Sequence, residues 1–441
     1  MAVWGIMAGM PSHESSSSFL ARLRAFDIFS LRGTPPEYHR GMRAFWFDSL
    51  LAAMSDAFWA NYTSLYVLSL GGTRTQVGWM SSASSFAGML MPVPGAALTR
   101  RWGQRRRMVV VFSVLFRIMF LLAALAPLII KGPGAVWAVM ALLVLRAGFL
   151  NTFTPAWMSL TRDIVPPEHR GRFFSSRNLM QAIITMSMVP LAGAIIETAG
   201  EPAGYQLALG IAFIVGLAAS YAFAQIPEQR QSAMRRASVG EQVRGLWHAV
   251  TRSRAFLVFI LIRILFDLGL MVGGPYFTTF QVEVLGSPAS TIGLLVTLRS
   301  FTRMVGLRFW GRLLDQRGAR WVITAACLFI PALPMVYTVA SKPWHIAFVD
   351  LPSGFLFAGY DLAAFALMLE LLEGEDNTQA AAGYMTLSSA VSIVGPLLGG
   401  WLISRFGYSG DFIVSGAIRA LAATLYLITF RPFGARRAQA A

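Results

Sequence analysis

Long apolar runs recur along almost the whole chain, and they leave few folds open. From about residue 44 to residue 430, apolar stretches of roughly 20 residues follow one another, which is the length an α-helix needs to cross the ~30 Å hydrocarbon core of a bilayer. Twelve spans are expected, at 44–70, 76–98, 108–130, 135–160, 173–196, 205–226, 256–285, 289–310, 321–340, 345–370, 380–404 and 411–430. Backbone polar groups in lipid must be satisfied within the segment, so these runs are helices. They are continuously apolar rather than alternating, which excludes a membrane barrel. A soluble chain that is 56% hydrophobic and 13% charged would expose large apolar patches, so that class is set aside.

Charge gives the expected orientation. The net charge is +16. Alone, this excess would suggest nucleic acid; in a membrane chain it is the arginine and lysine bias of cytoplasmic loops, and no nucleic-acid partner is expected. One set of loops carries only Arg74, Lys131, Lys342 and Arg405. Arg117, Arg146, Arg263, Arg299, Arg303 and Arg419 lie inside spans, and every other base falls on the opposite set of loops or on the two tails. Both tails, 1–43 and 431–441, are therefore expected in the cytoplasm. The acidic loop with Glu373, Glu375 and Asp376 carries no base, but the rule counts positive charges only. The N-terminal tail lacks the basic start and apolar core of a cleaved signal. Residues 227–255 form the longest polar interruption and read as a hinge between two bundles, 44–226 and 256–430, with a short amphipathic surface helix expected at 240–250. Cys327 is the only cysteine and sits in an apolar run, so no disulfide framework is expected.

Between the eighth and ninth runs, Gly311 to Arg320 reads G-R-L-L-D-Q-R-G-A-R. Gly311 would let two helix ends approach. Asp315 would take an arginine or a helix N-terminus. Gly318 would permit the turn, and Arg317 and Arg320 would anchor at the headgroups. A second copy, Ala96 to Arg105, lies between the second and third runs, where Leu98, Gly103 and Arg105 match Leu313, Gly318 and Arg320 at one constant offset and Arg101 adds a base. The pattern G-x-L-x-D-x-x-G-x-R, repeated in this way, resembles the loop signature of the major facilitator superfamily. The first copy departs from it at Ala96 and at Arg100, which stands where the family has Asp, and this bears on the cytoplasmic latch attributed to that residue. Further repeats agree in order: Ala147-Gly148-Phe149 with Ala358-Gly359-Tyr360, and Val189-Pro190-Leu191-Ala192-Gly193 with Gly395-Pro396-Leu397-Leu398-Gly399. Residues 163–172, D-I-V-P-P-E-H-R-G-R, resemble a stretch common in bacterial members. The resemblance covers about residues 40–432. It implies an all-α integral membrane protein of twelve transmembrane helices in two six-helix pseudo-symmetric halves, seated in a bacterial inner membrane as a monomer.

Charges within the spans are the candidate site. A charge in hydrocarbon costs at least ~2.5–3.5 kcal/mol and needs a reason. At 1.5 Å rise per residue, Asp56, Arg146, Asp267 and Arg299 lie roughly 15–18 Å along their spans, near the middle of the bilayer. Arg263 and Asp267 are i, i+4 and can pair, whereas Arg299 and Arg303 are i, i+4 like charges that need a partner from elsewhere. The resemblance implies that spans 1, 4, 7 and 10 line a central cavity, that spans 2, 5, 8 and 11 complete its walls, and that spans 3, 6, 9 and 12 lie outside it. Asp56, Arg146, Arg263, Asp267, Arg299, Arg303 and Asp361 thus face the cavity, and Arg117 and Arg419 read as structural. Asp56 reads as a lone carboxylate, and Asp56 and Asp361 are the expected proton-coupling groups. Asn61, Tyr62, Asn151, Tyr276 and Tyr360 are candidate wall residues, and Asp48 reads as an anchor for span 1.

No phosphate-binding G-x-x-x-x-G-K-[ST] loop is present, and His13, His39, His169, His248 and His345 lack metal-ligand spacing. No enzyme activity, metal or cofactor is expected. The expected activity is secondary transport of a small organic solute, coupled to protons and directed outward. The Gly-Pro-Leu-Leu-Gly-Gly stretch in span 11, similar to an antiporter signature, tilts towards export. Two alternatives stand beside it: proton-coupled uptake of an anionic metabolite, and a non-transporting sensor or assembly factor. The cluster Arg146, Arg299 and Arg303 points to an anionic or zwitterionic solute.

Overall fold

A computed structural model describes residue 31 and residues 33–166, 169–228, 254–371 and 377–430. The tail before residue 31, the surface helix at 240–250, the acidic residues 373–376 and the tail 431–441 lie outside the described residues, as do Pro167 and Glu168. The described residues form helical rods in chain order. Span 1 is α1 (Pro36–Ala57) and α2 (Thr63–Ser69), and span 2 is α3 (Arg74–Leu90) and α4 (Pro92–Trp102). Spans 3 to 6 are α5 (Arg105–Ile129), α6 (Pro133–Ile164), α7 (Arg170–Ala199) and α8 (Ala203–Ala224). Span 7 is α9 (Arg254–Gly273) and α10 (Tyr276–Glu283), and span 8 is α11 (Ala289–Arg317). Span 9 is α12 (Ala319–Phe329) and α13 (Ala332–Val339), and span 10 is α14 (Ala347–Leu371). Spans 11 and 12 are one helical run, α15 (Asn377–Thr429), divided at Gly407, whose φ of 70° favours glycine.

The breaks have local causes. Pro92, Pro275 and Pro331 lack an N–H and interrupt spans 2, 7 and 9. Span 1 breaks without a proline: residues 58–62 tighten into turns, with Phe58 N donating to Ser55 O and Tyr62 N to Trp59 O. Span 2 starts on a capping box, in which Thr73 Oγ1 accepts from Gln76 N and Gln76 Oε1 accepts from Thr73 N at 2.7 Å. Among the described residues, eight helical stretches are long and apolar enough to cross a membrane, and the last of them holds spans 11 and 12 together. Spans 1, 2 and 8 fall short of that measure: spans 1 and 2 are broken and partly polar, and span 8 carries Arg299, Arg303 and Arg308.

Each half has its own core. Phe116, Phe120, Tyr66 and Tyr205 centre the first, and Phe266, Tyr276, Tyr337, Tyr360 and Phe412 the second. The first core also takes in Ala289 and Ile292 of span 8, so the halves pack directly on each other. Spans 2 and 11 and spans 5 and 8 are the principal pairs across the divide. Their close approaches gather at the end that holds loops 1–2, 5–6, 7–8 and 11–12, away from both termini.

The loop motif differs from its expectation in two details. A Cβ at Gly311 would meet nothing within 4 Å, so no helix among the described residues approaches there. Asp315 lies in the last turn of α11 and is exposed, so it is not at a helix N-terminus. Gly103 and Gly318, with φ of 69° and 81°, do make the turns. Leu98 packs on the aromatic cluster at the termini end, Arg317 lies 4.4 Å from the Trp321 ring, and Arg101 and Arg320 are exposed. Arg105 is 6% exposed; its Nη1 donates to Ser159 Oγ at 2.8 Å and meets Asp163 Oδ2 at 2.7 Å. The first-half loop is thus pinned to the end of span 4, with Arg100 in the place of the family's Asp.

Candidate functional site

Among the described residues, two sizeable cavities enter the bundle. The larger, about 510 Å³, lies in the second half and is lined by spans 7, 8, 9, 10 and 12, with Asn61 contributed by the break in span 1. The smaller, about 300 Å³, lies in the first half and is lined by Asp48, Asp56, Trp59, Phe116, Arg117 and Arg177 among others.

In the first-half cavity Asp56 has company. Its Oδ1 accepts from Trp59 Nε1 at 3.0 Å and lies 3.6 Å from Arg117 Nη1. Arg117 also donates to Ser55 Oγ at 2.9 Å and lines the cavity. Both sequence expectations are corrected: Asp56 is not alone, and Arg117 is not confined to the outer layer. The reason is a notch in span 6. A Cβ at Gly216 would sit 2.6 Å from Arg117 Nε, so only glycine leaves room for the guanidinium to pass inward. Arg146, expected in the cavity, stands behind its wall instead. It is 8% exposed, and its guanidinium carbon lies 3.6 Å from the centre of the Trp59 ring, with Phe116 and Phe120 beyond. Three aromatic faces hold that cation. Asp48 lines the same cavity, as does Arg177, which lies 5.1 Å over the Phe45 ring.

In the second-half cavity Arg299 and Arg303 both reach the lining, as their spacing predicts. Their partners differ. Arg303 Nη2 pairs with Asp361 Oδ2 at 2.8 Å, whereas Arg299 Nη1 lies 3.9 Å from Asp350 Oδ1. Asp350 was missed by sequence reasoning, although it is a carboxylate inside an apolar run. Arg419 was assigned to the outer layer, but it too lines this cavity. Arg263 and Asp267 form the expected pair, Nε to Oδ1 at 3.1 Å, and Ser388 Oγ donates to Asp267 Oδ2 at 3.3 Å. Arg263 also lies 4.6 Å over the Tyr360 ring, and Tyr360 stacks on Phe266 at 4.2 Å. These five residues belong to the packing between spans 7, 10 and 11, outside both cavity linings.

Of the other wall candidates, only Asn61 lines a main cavity. Asn151 Nδ2 donates to Ala147 O and abuts Gly88 of span 2. Tyr62 and Tyr276 are buried and do something else. Tyr62 Oη donates to Val189 O at 2.7 Å, and Tyr276 Oη donates to Pro396 O at 2.6 Å. Each hydroxyl then meets a glycine of the opposite half. A Cβ at Gly293 would stand 2.9 Å from Tyr62 Oη, and one at Gly78 would overlap Tyr276 Oη and lie 2.8 Å from Pro396 O. The tyrosines, and the glycines, share the constant offset of the loop motif to within a residue. Thr297 Oγ1 also crosses the divide, to Met186 O at 3.0 Å. At the closed end, Arg74 Nε pairs with Glu283 Oε2 at 2.5 Å, and Tyr408 Oη donates to the same oxygen at 2.7 Å.

A family profile described as the Major Facilitator Superfamily matches residues 46–288 and again 259–440, once for each half. Multidrug resistance protein MdtH of Shigella flexneri serotype 5b is 30% identical over 146 residues, which is 33% of this chain and 36% of MdtH. The match thus spans about a third of the length of that curated relative. Among solved structures, the nucleoside transporter NupG superposes with a TM-score of 0.68 at 12% identity, covering 88% of this chain and 98% of that one. A bacterial homologue of the iron transporter ferroportin in an inward-facing state gives 0.68 at 15% identity, with 88% and 98% covered. A D-xylose–proton symporter gives 0.64 at 15%, with 88% and 96% covered. At these identities the likeness is one of fold.

Proposed function

The chain belongs to the Major Facilitator Superfamily, and from that premise we propose that this transporter exports a small organic solute by alternating access, driven by protons. The carrying observation is lopsided closure. The two halves interlock at one end through Tyr62 against Gly293, Tyr276 against Gly78, and Arg74 with Glu283, while charged cavities lie between that seal and the termini end. A rocking exchange between this arrangement and its opposite carries solute across without an open pore. The match to a multidrug resistance protein favours export. Asp56, 3.6 Å from Arg117, and Asp361, paired with Arg303 at 2.8 Å, are each close to half exposed and are the proposed proton carriers. Both termini lie in the cytoplasm of a bacterial inner-membrane protein that works as a monomer, and the sealed end then faces outward.

The arginines of the second-half cavity favour one other reading, uptake of an anionic metabolite with a proton. The retained charged linings argue against a non-transporting sensor. The test is everted membrane vesicles with an imposed proton gradient and a panel of labelled organic acids and lipophilic dyes. Proton-driven accumulation of one solute class in everted vesicles supports export. Accumulation only in right-side-out vesicles selects uptake, and no gradient-dependent flux in either overturns the transporter mechanism proposed here.

A further inference from the structure

Span 12 lies at the back of the second half, yet Arg419 reaches through the bundle to the larger cavity. Its chain passes Gly269 of span 7, where a Cβ would stand 2.8 Å from Arg419 Cγ. The residue is 2% exposed, donates from Nη2 to Gly269 O at 3.2 Å, and keeps an Nε with no hydrogen-bond partner among the described residues. Asp411, two turns earlier on the same helix, acts on it through charge alone: neither carboxylate oxygen of Asp411 is hydrogen-bonded among the described residues. Around the cavity, Asp361 takes Arg303 and Asp350 stands near Arg299. Three guanidinium groups thus have three carboxylates near them, but Arg299 is held only at 3.9 Å and Arg419 has no carboxylate hydrogen-bonded to it among the described residues. Gln281 adds a second unsatisfied group: its Nε2 donates to Tyr337 Oη at 3.2 Å while its Oε1 is buried without a partner.

A buried guanidinium with an N–H left without an acceptor is costly. A carboxylate supplies two oxygens in the geometry of its fork, and the cavity volume of about 510 Å³ is within the range of small-molecule sites. We propose that Arg419, with Arg299 across the cavity, binds a carboxylate group of the solute. With Asp350, Asp361 and Asp411 already near the three guanidinium groups, a monoanion is favoured over a dianionic phosphate, and the Gln281 amide takes a donor on the same solute. The proposal rests on the transporter reading for the cavity's purpose, but binding can be read without flux.

The experiment is thermal unfolding of the full chain in detergent, with 2-naphthoate, 2-naphthamide or 2-naphthyl phosphate added. A ligand that binds the folded state raises the unfolding temperature by mass action. Naphthoate should protect at concentrations about tenfold below those needed for the amide or the phosphate. Arg419→Lys should weaken that protection, and Arg419→Gln and Arg299→Gln should each abolish it. Arg308→Gln, on span 8 outside the lining, should leave it intact. Arg299→Gln keeps the test decisive if the Arg419 variants fold poorly. Equal protection by naphthoate and naphthamide, stronger protection by the phosphate, no protection by naphthoate, or undiminished protection in Arg299→Gln would each overturn the assignment. Failure of the transporter reading has a different signature, namely absent flux in vesicles while naphthoate still binds.

Discussion

Asp56 holds two partners at once, the Trp59 indole at 3.0 Å and Arg117 at 3.6 Å, and Trp59 in turn covers Arg146. The carboxylate is therefore linked to Arg117 directly and to Arg146 through one ring. Asp56→Asn keeps the indole hydrogen bond but removes the charge opposite Arg117. We expect proton-driven accumulation in vesicles to fall to background while solute exchange without a gradient persists. Normal accumulation against a gradient would move the coupling role to Asp361. Gly216 sets the geometry of the same cluster. A Cβ there meets Arg117 Nε at 2.6 Å, in a place where spans 1, 3 and 6 pack closely. Gly216→Ala should lower stability by about 1–3 kcal/mol, the usual scale of overpacking. Adding Arg117→Ala should cancel much of that loss, as a double-mutant cycle in the melting temperature can show. If Gly216→Ala melts like the parent, the notch does not constrain Arg117.

The helices carry the pseudo-symmetry more exactly than the loops do. Spans 1 and 7 both break beside a tyrosine, each tyrosine bonds a carbonyl at the proline of span 5 or span 11, and each presses on a glycine of the other half. Gly78→Ala and Gly293→Ala should both keep the halves from sealing. Ser290→Cys beside Gly193 reports on this: maleimide labelling should rise several-fold in either glycine variant, and unchanged labelling would mean that the seal lies elsewhere. The sequence made the helices, their order and the two tyrosines visible one by one, because apolar length and proline placement are local signals. It did not reveal the crossed tyrosine–glycine contacts, which depend on which face of span 2 meets span 11. Arg117 and Arg419 were misplaced for a related reason. A helix in the outer layer need not keep its side chains there, because an arginine is long enough to pass a glycine on the neighbouring span, at Gly216 and at Gly269. Asp350 and Asp361 answer Arg299 and Arg303 from span 10, and no spacing rule links residues on different spans.

At the scale of the whole molecule, the Arg74–Glu283 pair ties span 2 to span 7, with Tyr408 of span 12 bonding the same oxygen and lying 4.6 Å beneath the guanidinium. Arg74 is 44% exposed and Glu283 24%, so the pair contributes only about 0–1 kcal/mol. That is little against unfolding but large against an exchange between two arrangements of similar energy, where about 1 kcal/mol shifts the populations roughly fivefold. Glu283→Gln should therefore open the sealed end without unfolding the protein, and Arg74→Glu with Glu283→Arg should close it again. Orientation enters the same experiment. If the termini are cytoplasmic, a membrane-impermeant maleimide added outside intact cells should reach Ser290→Cys strongly in the Glu283→Gln background and weakly in the parent and in the charge-swapped pair. Labelling restricted to everted vesicles would invert the topology drawn from the arginines and lysines. Equal labelling in all three backgrounds would leave the ion pair a surface contact with no part in the exchange.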